Sequence, residues 1–168
     1  MIDIAKLAAL AVHYDAGDPR RVQHFIKVYG YCQLLGRSEG LDAHTQNVLE
    51  AAALLHDIGI HEAERRFGSS AGPYQEQEGP AVARPLLREA GADEEESHRV
   101  CWLIAHHHSY GAGEGTDFRI LLEADFLVNA DEDGLPRESI LAARERLFRT
   151  ESGRALLDDI FLVKPYII

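Results

Sequence analysis

The chain is poor in cysteine, in basic residues and in long apolar runs, and each shortage closes off a class of protein. Its two cysteines, Cys32 and Cys101, lie far apart and lack C-x-x-C spacing. That argues against a disulfide framework and for a reducing, cytoplasmic compartment. Only 17 Lys and Arg stand against 28 Asp and Glu, a formal net charge of -11 over 168 residues. Phosphate-backbone binding runs on clustered Lys and Arg, so nucleic acid is not expected as a partner. No apolar run approaches the ~18 residues of a membrane span. The opening MIDIAKLAALAVHYDAGD has no basic start followed by an apolar block, so neither a secretory signal nor a membrane partner is expected. Internal repeats, low-complexity linkers and shifts of composition are also missing, and no stretch alternates with period two. At roughly 100–200 residues per domain, a single all-α domain over 1–168 is the natural reading, with its oligomeric state open.

What is present is a succession of helical patterns punctuated by Gly and Pro. Asp18-Pro19 supplies an N-cap and a first-turn proline. Val22, Phe25, Ile26, Val28, Tyr29, Cys32 and Leu35 then recur at helical spacing until Gly40. Asp42 caps AHTQNVLEAAALLHD, which stops near Ile58-Gly59. Residues 60–74 have no clean period and contain Gly68, Gly72 and Pro73, which predicts a long functional loop with at most one short helical turn. Helices are expected from about Gln75 to Ala90, over EEESHRVCWLIAHHH behind Asp93, and over FRILLEADFLVNA behind a capping Asp117. YGAGEGT is expected as a loop, and two shorter helices fill 136–149 and 151–162.

Nine histidines stand out in so small an acidic protein. On these helices His56 shares a face with Leu49, Ala52 and Ala53, and His107 continues the stripe of Val100, Leu103 and Ile104. Asp125 falls between Leu121 and Val128, and His24 precedes Val28 by one turn. Four helices thus turn an ionisable group toward the apolar interior, where it is costly unless paired or bound to a cation. A single such His is more often a hydrogen-bonded core residue, but the set together points to a metal ion. His13, His44, His61 and His98 read as solvated surface.

The order His24 (in RRVQHFIKV), His56-Asp57 (in AALLHDIG) and Asp125 (in LLEADFLVN) resembles the HD superfamily of metal-dependent phosphohydrolases, over about residues 20–130. The resemblance implies an all-α HD-domain fold. It implies a divalent ion held by His24, His56, Asp57 and Asp125, with catalysis centred on His56 and Asp57. The chemistry would be hydrolysis of a phosphate ester or anhydride of a small molecule, a nucleotide by analogy, by water activated at the ion. Imidazole suits Mn, Fe, Co, Ni and Zn and carboxylate suits harder ions such as Mg, so the donor set selects no single metal. The competing readings are a non-catalytic regulatory HD module and a di-iron oxygenase on the same fold. The cyclic-dinucleotide branch is set aside because HHHSYGAGEG lacks its GYP word.

Some members of that superfamily hold a second metal, bridged by the Asp of the His-Asp pair and completed by an intermediate His and an HH word. Here the HH word is LIAHHHSYG, which implies His106 and His107 as second-metal or substrate residues and puts His108 at the loop edge. The intermediate His is missing: its place falls at Gln75 or Glu76, of which Glu76 is the candidate oxygen ligand. For the substrate phosphate, the nearby cations are Arg21, which shares a face with His24, and Arg65-Arg66, directly after the metal helix, with Lys27 as a further candidate.

Overall fold

The computed structural model describes residues 1–111, 113 and 115–163, and among them every regular element is helical. In chain order these are α1 (Ile4–Tyr14), α2 (Pro19–Ser38), α3 (Ala43–Leu55), α4 (Ile60–Phe67) and α5 (Gly72–Glu89). They continue as α6 (Glu94–Ile104), α7 (Thr116–Glu132), α8 (Arg137–Arg146) and α9 (Glu151–Leu157), with a π-helical turn over Asp158–Leu162. The caps at Asp18, Asp42 and Asp93 form as the spacing predicts, and Asp93 closes a reciprocal box with Glu96.

Three local expectations are corrected. The N-terminal segment, for which the sequence reading draws no helix, forms α1, capped by Asp3. Most of the expected loop 60–74 is helix: Glu62 sits in the first turn of α4, Arg65 and Arg66 in its last, and Gly68 closes it at φ 65°. That is acid at the positive end, base at the negative end and a left-handed glycine stop, and these local terms outweigh the weak apolar period. Asp117 does not cap α7, which begins at Thr116 after Gly115. Its carboxylate is instead engaged by the Arg99 guanidinium at 2.7 and 2.8 Å. The expected loop at YGAGEGT includes Ala112 and Glu114, and the expected domain extends to 168; those two residues and 164–168 lie outside the described residues.

Helix α3 organises the rest. Every residue from Asn47 to Leu55 is buried, and α1, α2, α6 and α7 all pack on it. A helix covered all round needs small or apolar side chains on every face, which the Ala51-Ala52-Ala53 run and its leucines supply. Its polar exceptions are bonded: Asn47 accepts from the Ile2 N–H and donates to the Ile2 carbonyl. The consequence is positional, because the C-terminal end of α3, with His56 and Asp57, is delivered to the middle of the bundle.

A second close approach aims α5. A Cβ on Gly59 would fall 2.6 Å from both the Gln75 carbonyl oxygen and the Gly79 nitrogen, so α5 crosses the turn after α3 backbone to backbone. This crossing sets Gln75 and Glu76 against the turn that follows α6. No helix is long and apolar enough to cross a membrane among the described residues, and Cys32 and Cys101 are both buried and unpaired.

Candidate metal centre

Four elements converge on one point. From α2, His24 brings its Nε2 to 3.3 Å from the Nε2 of His56, at the end of α3. From α7, Asp125 places Oδ1 at 3.2 Å from the first nitrogen and 3.4 Å from the second. Asp57 Oδ2 is 3.6 Å from both. Its other oxygen, Oδ1, faces away to His107 Nε2 at 3.3 Å. The ligand atoms of His24, His56 and Asp57 fall within 4.8 Å of one another, and so do those of Asp57, His107 and His108. Two donor groups therefore share one carboxylate.

The remaining ring nitrogens are anchored in a way that fixes where the lone pairs point. His56 Nδ1 donates to the Ala53 carbonyl at 2.8 Å, and His107 Nδ1 to the Ile104 carbonyl at 2.7 Å. His24 Nδ1 donates to Glu132 at 2.9 Å. Each bond places the proton on Nδ1 and leaves Nε2 as a lone pair aimed into the cluster, as metal-bound imidazoles are ordinarily held. Glu132 is itself held by Lys27 at 2.5 Å, and Asn129 Nδ2 holds Asp125 Oδ1 at 2.9 Å.

The donor set fits a divalent cation. Two neutral imidazoles cannot hold lone pairs 3.3 Å apart without a positive charge between them. His107 Nε2 is fully buried and makes no well-formed hydrogen bond, although Asp57 Oδ1 is near. Without a metal, protons take the cation's place. Burial opposes a charge on His56, but Asp57 and Asp125 outweigh it and push the imidazole up to about 9. Burial likewise opposes charge on His24, yet Asp125 and Asp57 raise it. Burial would raise both carboxyls; His56 and His107 instead hold Asp57, and His24 and His56 hold Asp125, well below the usual carboxylate range. His108 goes the other way, lowered by burial and by the neighbouring His107.

The structure thus brings His24, His56, Asp57, Asp125 and His107 together, and it places three neighbours otherwise than expected. His106 does not join them. Its ring stacks on Trp102 at 4.3 Å and its Nδ1 bonds the Trp102 carbonyl at 2.7 Å. The helical period that projected it inward stops at Ile104, beyond which the chain tightens into i→i−3 bonds such as His106 N–H to Leu103 O. His108, read as the loop-edge residue, is instead the one grouped with Asp57 and His107. Glu76 is not directed at the cluster: its carboxylate accepts the His108 backbone N–H at 2.9 Å and the Ser109 hydroxyl at 3.1 Å. It positions the histidine turn. Gln75, at the place of the missing histidine, has its Oε1 3.2 Å from His108 Nε2 and donates its own N–H to the Ser70 carbonyl.

Beside the cluster is a cavity of about 310 Å³. His24 and Asp57 form its floor, and Asp18, Arg20, Arg21, Ser70, Asn129 and Glu132 its walls. Arg21 lines it as expected but is held by Asp18 at 3.0 Å. Arg65 and Arg66 do not line it; they pair with Glu62 and Glu78. The sequence reading missed Arg20, Asn129 and Glu132. The last two stand four and seven residues after Asp125, on its own helix face, a spacing that would have found them.

The sequence matches the HD domain family over residues 21–147. The chain belongs to that family. The fold is also similar to a crystal structure of a predicted HD superfamily hydrolase from an uncultured Thermotogales bacterium. The two are 25% identical, with a TM-score of 0.62, and the likeness covers 93% of this chain and 82% of that one. Among curated proteins, none matches.

Proposed function

We propose that this protein is a metal-dependent phosphohydrolase acting on a small-molecule phosphate. The observation that carries the reading is the pair of inward Nε2 atoms of His24 and His56, 3.3 Å apart, with two carboxylates alongside. His24, His56, Asp57 and Asp125 would hold one divalent cation, and Asp57 would bridge to a second on His107 and His108. A cation in such a site supplies Lewis-acid polarisation of a phosphoryl oxygen and lowers the pKa of a water.

The protein's own groups supply the rest. Glu132 and the carbonyls of Ala53 and Ile104 hold the Nδ1 protons of His24, His56 and His107, which keeps each Nε2 unprotonated toward the ion. Asn129 orients Asp125, and Glu76 fixes the backbone at His108. In hydrolysis the water oxygen bonds phosphorus, the ester P–O bond breaks, and the leaving alcohol takes a proton. A nucleotide, the class suggested by the superfamily resemblance, is one arm of the substrate panel.

The test is phosphate release by protein replenished with Mn, Co, Ni, Zn or Mg, with and without chelator. Release that chelator abolishes and metal restores supports the reading. No release across nucleotides, sugar phosphates and anhydrides would leave the regulatory-module reading, and oxygen uptake by iron-loaded protein would favour the oxygenase.

A further inference from the structure

Ligand pockets are ordinarily lined mostly by apolar and aromatic side chains, with a few polar groups that fix orientation. The cavity over this cluster is the reverse. Apart from the His24 imidazole, none of its lining side chains among the described residues is aromatic, and none is aliphatic. Bases are gripped chiefly through their π-faces, on aromatic or guanidinium planes. The stacked pair Phe67 and Tyr74, 4.4 Å apart, spends one ring face of each on the other, and neither lines the cavity. Apart from His24 the walls offer a nucleobase no aromatic plane, and of their two guanidinium planes that of Arg21 is held by Asp18.

They do offer a polyhydroxylated anion its partners. The cations around the site are largely committed: Arg21 to Asp18, Lys27 to Glu132, Arg65 to Glu62 and Arg66 to Glu78. Arg20 lines the cavity, and its side chain has no hydrogen bond or ion pair among the described residues. Asn129 donates its N–H to Asp125, so its Oδ1 is left to accept. Ser70 gives its carbonyl to Gln75 and keeps its hydroxyl for other use. The carboxylates of Asp18 and Glu132 suit hydroxyl donors as well, and their charge disfavours a substrate with several phosphates.

We propose that the substrate is the monophosphate ester of a small non-aromatic polyol or sugar, with Arg20 as the specificity residue for its phosphoryl group. This rests on the phosphohydrolase reading above. One water is consumed: its oxygen joins phosphorus, the P–O bond to the sugar oxygen breaks, and that oxygen leaves as a hydroxyl with one proton.

The experiment compares metal-replenished protein on a hexose 6-phosphate, glycerol 3-phosphate, AMP and GMP, with the product, inorganic phosphate, titrated calorimetrically in parallel. The expected result is a kcat/KM for a sugar or polyol phosphate at least about tenfold above either nucleotide. Arg20→Gln should lower kcat/KM for the sugar or polyol phosphate and weaken inorganic phosphate binding by about tenfold, and Arg20→Lys should recover part of both losses. Preference for AMP or GMP would overturn the substrate class while leaving the hydrolase standing. Unchanged phosphate binding in Arg20→Gln would overturn the role of Arg20. Metal-loaded protein that releases phosphate from none of the four but cleaves an anhydride would overturn the substrate class alone; no release from these or from any anhydride would overturn the hydrolase reading with it.

Discussion

The Nε2 atoms of His24 and His56 face each other at 3.3 Å while the Nδ1 atom of each ring donates outward, to Glu132 and to the Ala53 carbonyl. In the absence of metal, that arrangement needs a proton. The pH behaviour of the metal-free protein follows. His56 is raised to about 9 and His24 is raised above its ordinary value. A raised imidazole contributes stability that is full below the unfolded value, near 6.5, and is lost as pH climbs through the folded one. Chelated protein should therefore lose thermal stability between about pH 6.5 and 9, and a divalent ion should abolish most of that loss. Thermal melts at several pH values, with and without metal, check it. Asp57 and Asp125 act in the opposite sense, since their stabilising effect is present above the ordinary carboxylate range and fades only in strong acid.

The same protons must leave when a cation enters. Metal binding should release protons at pH 7, and affinity should rise with pH until His56 is neutral. Calorimetric titration in two buffers of different ionisation enthalpy measures the number released.

Glu76 should behave as a positioning residue. Glu76→Ala leaves the His108 N–H and the Ser109 hydroxyl without their acceptor. It should weaken the second of two bound ions by about tenfold and leave the first nearly unchanged, the usual effect of removing a group that holds a ligand in place. Metal titration with an indicator dye separates the two.

Two residues before Asp125 on α7, the fully buried Glu123 accepts the backbone N–H groups of Arg149 and Thr150 and the Thr150 hydroxyl. It ties α7 to the segment before α9. Glu123→Ala should cost about 2–4 kcal/mol in urea unfolding, since it strands two backbone donors, while metal content stays at the wild-type level.

How far the sequence foretold this follows a physical line. His24, His56, Asp125 and His107 were legible because each continues or ends an apolar helical stripe, and a helix projects its faces reliably from sequence. His106 and His108 were exchanged because the regular period ends at Ile104. Past a helix end, direction is decided by partners from elsewhere, here Trp102 for one ring and Glu76 and Gln75 for the other. The same holds for the arginines. Their proximity to the metal helix was readable, and so were the i,i+3 pairs Arg21–Asp18 and Arg65–Glu62; that Arg66 would meet Glu78 depended on the packing of α5 against Gly59 and α4, a tertiary contact with no local signature.

The most direct test of the metal centre is the metal content per chain, by elemental analysis, of protein purified without chelator, compared across wild type, Asp57→Ala and His106→Ala. Asp57 faces both donor groups, whereas His106 stacks on Trp102 outside them. The account predicts at least about one divalent ion per chain in wild type and in His106→Ala, and almost none in folded Asp57→Ala. A full metal load in Asp57→Ala, or metal lost from His106→Ala but not from Asp57→Ala, would contradict it.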